Sequence, residues 1–230
     1  LYQLDKGEES IGIGLNAGYY ATGSYNTFVG SEAGKGGTTS APYSSGQYNT
    51  ALGYQALASF TTGGTNTAVG RGSLYALTTG TKSTAVGYQA GNAMTTAIGN
   101  TFIGYEAGKQ SLASYNTIIG DRAFDASTDS TSTANVIIGA TAGSSINAGY
   151  SSNNIFIGHN AGVGGSGRLT DSVAIGRNAL MSTGANAKTG IIAIGHYALT
   201  DLTTGTSTTV IGYEAGLSLT TGNNNTLIGY

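Results

Sequence analysis

The chain has 230 residues, of which 39 are glycine and only 9% are charged, with a net charge of −2 and no cysteine. Glycine stands far above average usage and charge far below it, which leaves little machinery for acid–base catalysis. Nine Lys and Arg residues make no basic stripe to track nucleic-acid phosphates. Disulfides and thiolate metal sites are excluded, and no apolar run is long enough for a membrane-spanning helix.

Residues 1–9 read as an irregular lead-in, and from residue 10 to 230 one phrase recurs as a single repeat domain. It appears as Asn-Thr-Phe-Val-Gly at 26–30, Asn-Thr-Ala-Leu-Gly at 49–53 and Asn-Thr-Ala-Val-Gly at 66–70, and continues to the end. Its final glycines are Gly14, Gly30, Gly53, Gly70, Gly87, Gly104, Gly120, Gly139, Gly158, Gly176, Gly195, Gly212 and Gly229. They are spaced 16–19 residues apart, with one interval of 23 that holds Pro42, the single proline. Ala97-Ile98-Gly99 is an extra match too close to Gly104 to make a turn of its own, and reads as loop. Both ends read as cuts through a longer protein.

The residue before the glycine is branched and aliphatic, as in Val29, Leu52, Ile103 and Ile211. Three before it stands a β-branched residue, as in Thr27, Thr50, Val136 and Ile192. Such residues suit a pleated strand, and positions two apart share one face, so both columns are expected to point into the coil. Three after the glycine comes a small residue, then Gly or a bulky apolar one, then a Thr/Gly/Ser/Asn loop of variable length. A short strand, a glycine corner, a short second segment and a turn make one coil. Stacked coils bury together what none buries alone, so the sequence predicts an all-β fold, a parallel β-solenoid of about 13 coils of 16–19 residues.

On that reading the residue two before the glycine points outward. The column reads Phe28, Ala51, Ala68, Ala85, Phe102, Ile118, Ile137, Phe156, Ala174, Ala193, Val210 and Leu227, with no polar residue. A strand apolar on both faces is covered on both faces, and no helices are present to cover this one. The column is therefore the expected interface with other copies of the chain, with itself as the main partner.

"NTAVG", "STAVGYQAG", "SVAIGRNAL" and "NTIIGDRAF" resemble the head repeats of YadA-like trimeric autotransporter adhesins. They look equally like the "NTAVGYQAL" arrays of bacteriophage tail fibres. The resemblance covers the chain from about residue 10 onward. It implies a left-handed parallel β-roll, a homotrimer, and attachment as the task of an extracellular virion fibre or bacterial surface adhesin. The coils here are longer than those usual in autotransporter heads, which favours the phage-like branch.

Candidate chemistry is sparse. "GSEAGKGG" and "GYEAGKQS" lack the glycine spacing of a phosphate-binding loop. Glu32, Glu106 and Glu214 fall four to six rungs apart, too far for the paired carboxyls of a glycosidase, which leaves a pair across copies, Asp121 or Asp171 of one with Glu106 of another, as the remaining arrangement. The sequence therefore predicts no enzyme and no cofactor. A tailspike-like glycan depolymerase is the alternative, and an ice-binding solenoid a weaker rival, since the Thr column is expected to face inward. Asp121, Asp125 and Asp129 leave a cation open. His159 and His196 share the post-glycine column with Tyr54, Tyr88, Tyr105 and Tyr213. Those four tyrosines are candidate contacts for a host or cell-surface glycan or protein, with neither nucleic acid nor membrane insertion as a partner of this segment.

Overall fold

A computed structural model describes residues 9–37, 43–146, 151–164, 167–181 and 186–230. Most of the predicted lead-in, together with Pro42, lies outside the described residues. Among the described residues there is no helix; every regular element is a short strand, and every strand pairing is parallel. The fold is a parallel β-solenoid, as the repeat requires.

The chain divides into two compact units of the same repeat, Leu1–Leu112 and Ala113–Tyr230. In the first, the rung strands are β1 (Ile11–Ile13), β2 (Thr27–Val29), β3 (Thr50–Leu52), β4 (Thr67–Val69), β5 (Thr84–Val86) and β6 (Thr101–Ile103). Each pairs with the next in the register of the repeat, Thr over Thr and the branched aliphatic over its counterpart.

In the second unit the rungs are β7 (Thr117–Ile119), β8 (Val136–Ile138), β9 (Ile155–Ile157), β11 (Val173–Ile175), β13 (Ile192–Ile194), β15 (Thr209–Ile211) and β17 (Thr226–Ile228). Its later coils add a second sheet from β10 (Leu169–Thr170), β12 (Lys188–Thr189), β14 (Thr204–Thr206) and β16 (Thr221–Asn223), again all parallel. Residues 97–99 form no strand, as expected of loop.

The corner glycine is obligatory for two reasons. Gly70 holds φ at +121°, and a Cβ built there would lie 2.5 Å from the carbonyl oxygen of Gly87, the same corner one rung on. After the corner the chain makes a run of overlapping turns instead of a second strand. Ala90, Asn92 and Met94 donate their amides to the carbonyls of Gly87, Gln89 and Gly91. Gln89 and Gly91 take positive φ, 52° and 59°, as the third position of a type II turn demands.

The direction of the strand faces is the reverse of the expectation. Phe28, Ala51, Ala68, Ala85, Phe102, Ile118, Ile137, Phe156, Ala174, Ala193 and Val210 are all completely buried inside a single chain. Leu227, on the last rung, is half-buried. The column assigned to the interface between copies is the core of the coil. The flanking columns, assigned to the core, face outward: Leu52 is 47% exposed and Ile103 38%. The physical reason is volume. The cross-section is so narrow that one strand side chain per rung fills it, and the residues after the corner supply the rest.

Those two contributions compensate in size. Phe28, Phe102 and Phe156 face Gly34, Gly108 and Gly162, where an added Cβ would run into the Phe ring. Where the strand offers only Ala, at 51, 68, 174 and 193, the turn offers Leu57, Leu74, Leu180 and Leu199, each completely buried. Close packing thus accounts for the Gly-or-bulky alternation on these rungs, whereas Ile118 and Phe124 are both large and both buried on theirs. At Ala85, paired with Gly91, the space is taken by Phe102 and Leu74 of the adjacent rungs.

Candidate functional site

A buried asparagine opens most rungs, four residues before the corner glycine, and ties the coils together. Asn66 donates Nδ2 to the carbonyl of Gly80 at 3.0 Å, while its Oδ1 accepts the amide of Ser83 at 3.0 Å. Asn49 does the same with Gly63 and Asn66, and Asn154 with Leu169 and Ser172. Each side chain satisfies backbone groups at a corner that strand pairing cannot reach, which buried polar groups require. This ladder was missed in the sequence, although the asparagine is the first letter of the recurring phrase.

The outward faces of the rung strands form a regular surface in each unit. Thr27, Thr50, Thr67, Thr84 and Thr101 make one outward column in the first unit, beside Val29, Leu52, Val69, Val86 and Ile103. None of these five threonine hydroxyls bonds to another described residue. The second unit repeats the arrangement with Ile155 39%, Ile157 36% and Ile211 37% exposed. Scattered apolar residues on a surface are ordinary, but contiguous apolar patches mark interaction surfaces.

Tyrosines border this face. Tyr54, Tyr88 and Tyr105 lie along one edge with Arg71 among them: the guanidinium carbon is 5.7 Å from the Tyr54 ring and 5.4 Å from that of Tyr88. Arg71 also donates to the Tyr88 hydroxyl at 2.9 Å, and Tyr88 stacks on Tyr105 at 5.0 Å. Tyr213 belongs to a separate group in the second unit, stacked on Tyr230 and edge-on to His196. The carboxylate of neighbouring Glu214 raises the Tyr213 pKa, by hydrogen bond first and by charge second. Tyr25 and Tyr48 stack at 5.1 Å on the opposite edge, before the strand. Arg71 did not stand out in the sequence because it departs from the Tyr common in its column, and Tyr25 and Tyr48 did not because their column, five before the corner glycine, is too mixed to read as a pattern.

Several of the acidic residues are engaged locally. Glu106 pairs with Lys109 at 2.8 Å and Glu32 with Lys35 at 3.8 Å, each on its own turn. Asp129 accepts from the hydroxyls of Thr131 and Ser132, and Asp171 from Asn153. Among the described residues no group of three or more His, Asp or Glu side chains is placed to hold a metal ion. His159 is exposed, whereas His196 stacks on Tyr197 at 4.3 Å. Lys188, in contrast, is buried in β12 with its ammonium donating to the carbonyl of Asn186, and burial lowers its pKa from 10.5 to about 8.

No protein-family model matches this chain, and neither does any curated protein or solved structure. Function has to be argued from the surfaces themselves.

Proposed function

We propose that this chain is a segment of a homotrimeric extracellular fibre, of the virion or bacterial-surface kind, that serves attachment. The observation that carries the proposal is the outward double column of Thr and Val, Leu or Ile. It is regular in register and carries a row of exposed aliphatic side chains, and a second copy of the same chain offers a surface with the same repeat spacing. Closed symmetric association is the common solution for such a surface. Three-fold symmetry rests on the likeness of the repeats to trimeric fibres.

The test is Val86→Lys with Ile103→Lys, two charges on adjacent outward positions. The variant should keep its β-sheet circular dichroism and melting transition while sedimenting as a single chain. Unchanged sedimentation of a folded variant would overturn the assignment.

The outward threonines favour one rival use of the same face. A regular ladder of hydroxyls alternating with methyl groups is also suited to ordering water at an ice surface. Thermal hysteresis by the purified protein, absent from the lysine variant, would transfer the face to that function.

A further inference from the structure

The fourth rung of the first unit departs from the repeat, and the departure makes a notch. Elsewhere the second residue after the corner carries a side chain, as in Glu32, Gln55, Gln89 and Glu106; here it is Gly72. The residue before it is Arg71 where neighbouring rungs have Tyr, and the residue three after it is Tyr75. Gly72 is buried at the floor of a cavity of about 150 Å³, walled by Gln55, Arg71, Tyr75, Gln89 and Asn92. In a protein built by repetition, a rung whose residues change together is a place where something other than stacking has been built.

We propose that this notch binds one carboxylate-bearing sugar residue of a surface polysaccharide. Its volume suits a single sugar ring, below the range of drug-sized sites. Tyr75 is 38% exposed and offers a ring face on which the C–H face of a sugar can lie. Gln89 and the Tyr75 hydroxyl make no hydrogen bond to other described side chains, and Asn92 uses only its Nδ2, donated to the Gly72 carbonyl at 2.9 Å. Free amide and hydroxyl groups around a small concave floor are what sugar hydroxyls require.

The choice of an acidic sugar comes from Arg71. Its fork of donors has spent one bond on the Tyr88 hydroxyl, and the remaining ones match a carboxylate. No acidic side chain lines the notch. Tyr75 is also a wall of a second groove of about 360 Å³, which Glu32, Lys35, Thr61 and Thr78 help to line. A chain of sugars leaving the notch therefore has a path across the turn face, away from the strand face.

The proposal rests on the attachment half of the function above and not on assembly, so oligomeric state is measured in parallel. Saturation-transfer NMR on the whole protein would use glucuronate and N-acetylneuraminate as probes, with glucose and N-acetylglucosamine as neutral counterparts. The acidic sugars should take up saturation with millimolar affinity and the neutral ones far less. Gly72→Gln restores the residue found at Gln55 and Gln89, where φ is +56° and +52°, so the backbone accepts it. It should weaken binding by at least about tenfold, with the fold retained and only the modest drop in melting that a side chain at left-handed φ brings. Tyr75→Ala should do likewise, and Arg71→Tyr should abolish the preference for acid.

Equal saturation of neutral and acidic probes, no saturation by either acidic sugar, or full affinity in Gly72→Gln each overturns the proposal. A trimer that binds neither acid refutes the notch alone. A single chain that binds refutes the assembly alone.

Discussion

The size compensation inside the coil makes a quantitative prediction at Phe156 and Gly162. Phe156→Ala removes a completely buried ring and should cost about 3–5 kcal/mol. Gly162→Leu by itself forces a side chain into that ring, since even a Cβ would stand 2.6 Å from it; overpacking of this kind costs about 1–3 kcal/mol or more. Together the two changes reproduce the next rung, where Ala174 is paired with Leu180 at φ +51°. What remains is the left-handed backbone of a non-glycine residue, about 1–2 kcal/mol, plus a small volume deficit.

The double variant should therefore be more stable than Phe156→Ala, although one of its two changes is destabilising alone. Urea unfolding of the four proteins closes the cycle, with coupling of about 3 kcal/mol expected. Because solenoid coils unfold with limited cooperativity, the transition should be followed by hydrogen exchange of β9 amides as well as by circular dichroism. Additive losses to within about 0.5 kcal/mol would refute the constant-volume account of the core.

Three further outcomes follow from the ladders and the buried lysine. Asn66→Ala strips the Ser83 amide and the Gly80 carbonyl of their partners and should cost about 2–4 kcal/mol in urea melts. Asn66→Ser should lose much less, because Ser83 already fills this column and accepts the Asn100 amide. For Lys188 the folded pKa is about 8 against an ordinary 10.5, so above about pH 8 the unfolded chain holds a proton that the folded chain has released. Stability should rise between about pH 8 and pH 10.5 and level off below pH 8. The increase, measured relative to Lys188→Met, should vanish if the lysine is not the titrating group. Ile118→Asp with Ile137→Asp, two charges in the core, should unfold the coil rather than merely separate copies, as loss of the near-native circular dichroism would report.

The period, the parallel stacking and the glycine corner were all legible in the sequence because each is a rule about spacing. Period-two alternation also identified correctly which residues share a face, Thr27 with Val29 and Phe28 with neither. It could not say which of the two faces is inside, and β-branched character misled, since Thr and Val suit either side of a pleated strand. The sign was nevertheless present in a second column. Phe28, Phe102 and Phe156 occur with Gly34, Gly108 and Gly162, whereas Ala51, Ala68 and Ala174 occur with Leu57, Leu74 and Leu180. Residues exchange volume in that manner only across an enclosed space.

Of the candidate site, Tyr54, Tyr88 and Tyr105 were found as a column and do lie on one edge of the first unit. Tyr213 belongs to another group, and Arg71 could be recognised only once its guanidinium was placed between rings. The overlapping turns after each corner were not legible, because nothing in Gln55 or Glu106 as residue types announces a positive φ. Lys188 was hidden by the expectation that charged residues stay at the surface.

The central claim is that Ala68 faces the inside of its own coil while Val69 faces another copy. The chain has no cysteine, so a single one can be placed at either position and its reaction with a maleimide timed. Ala68→Cys should be protected both in the parent background and in the dispersed Val86→Lys, Ile103→Lys background. Val69→Cys should be protected in the parent and react freely once the copies are separated. Rapid labelling at position 68 in the folded protein, or equal labelling at 69 in both backgrounds, would contradict the account.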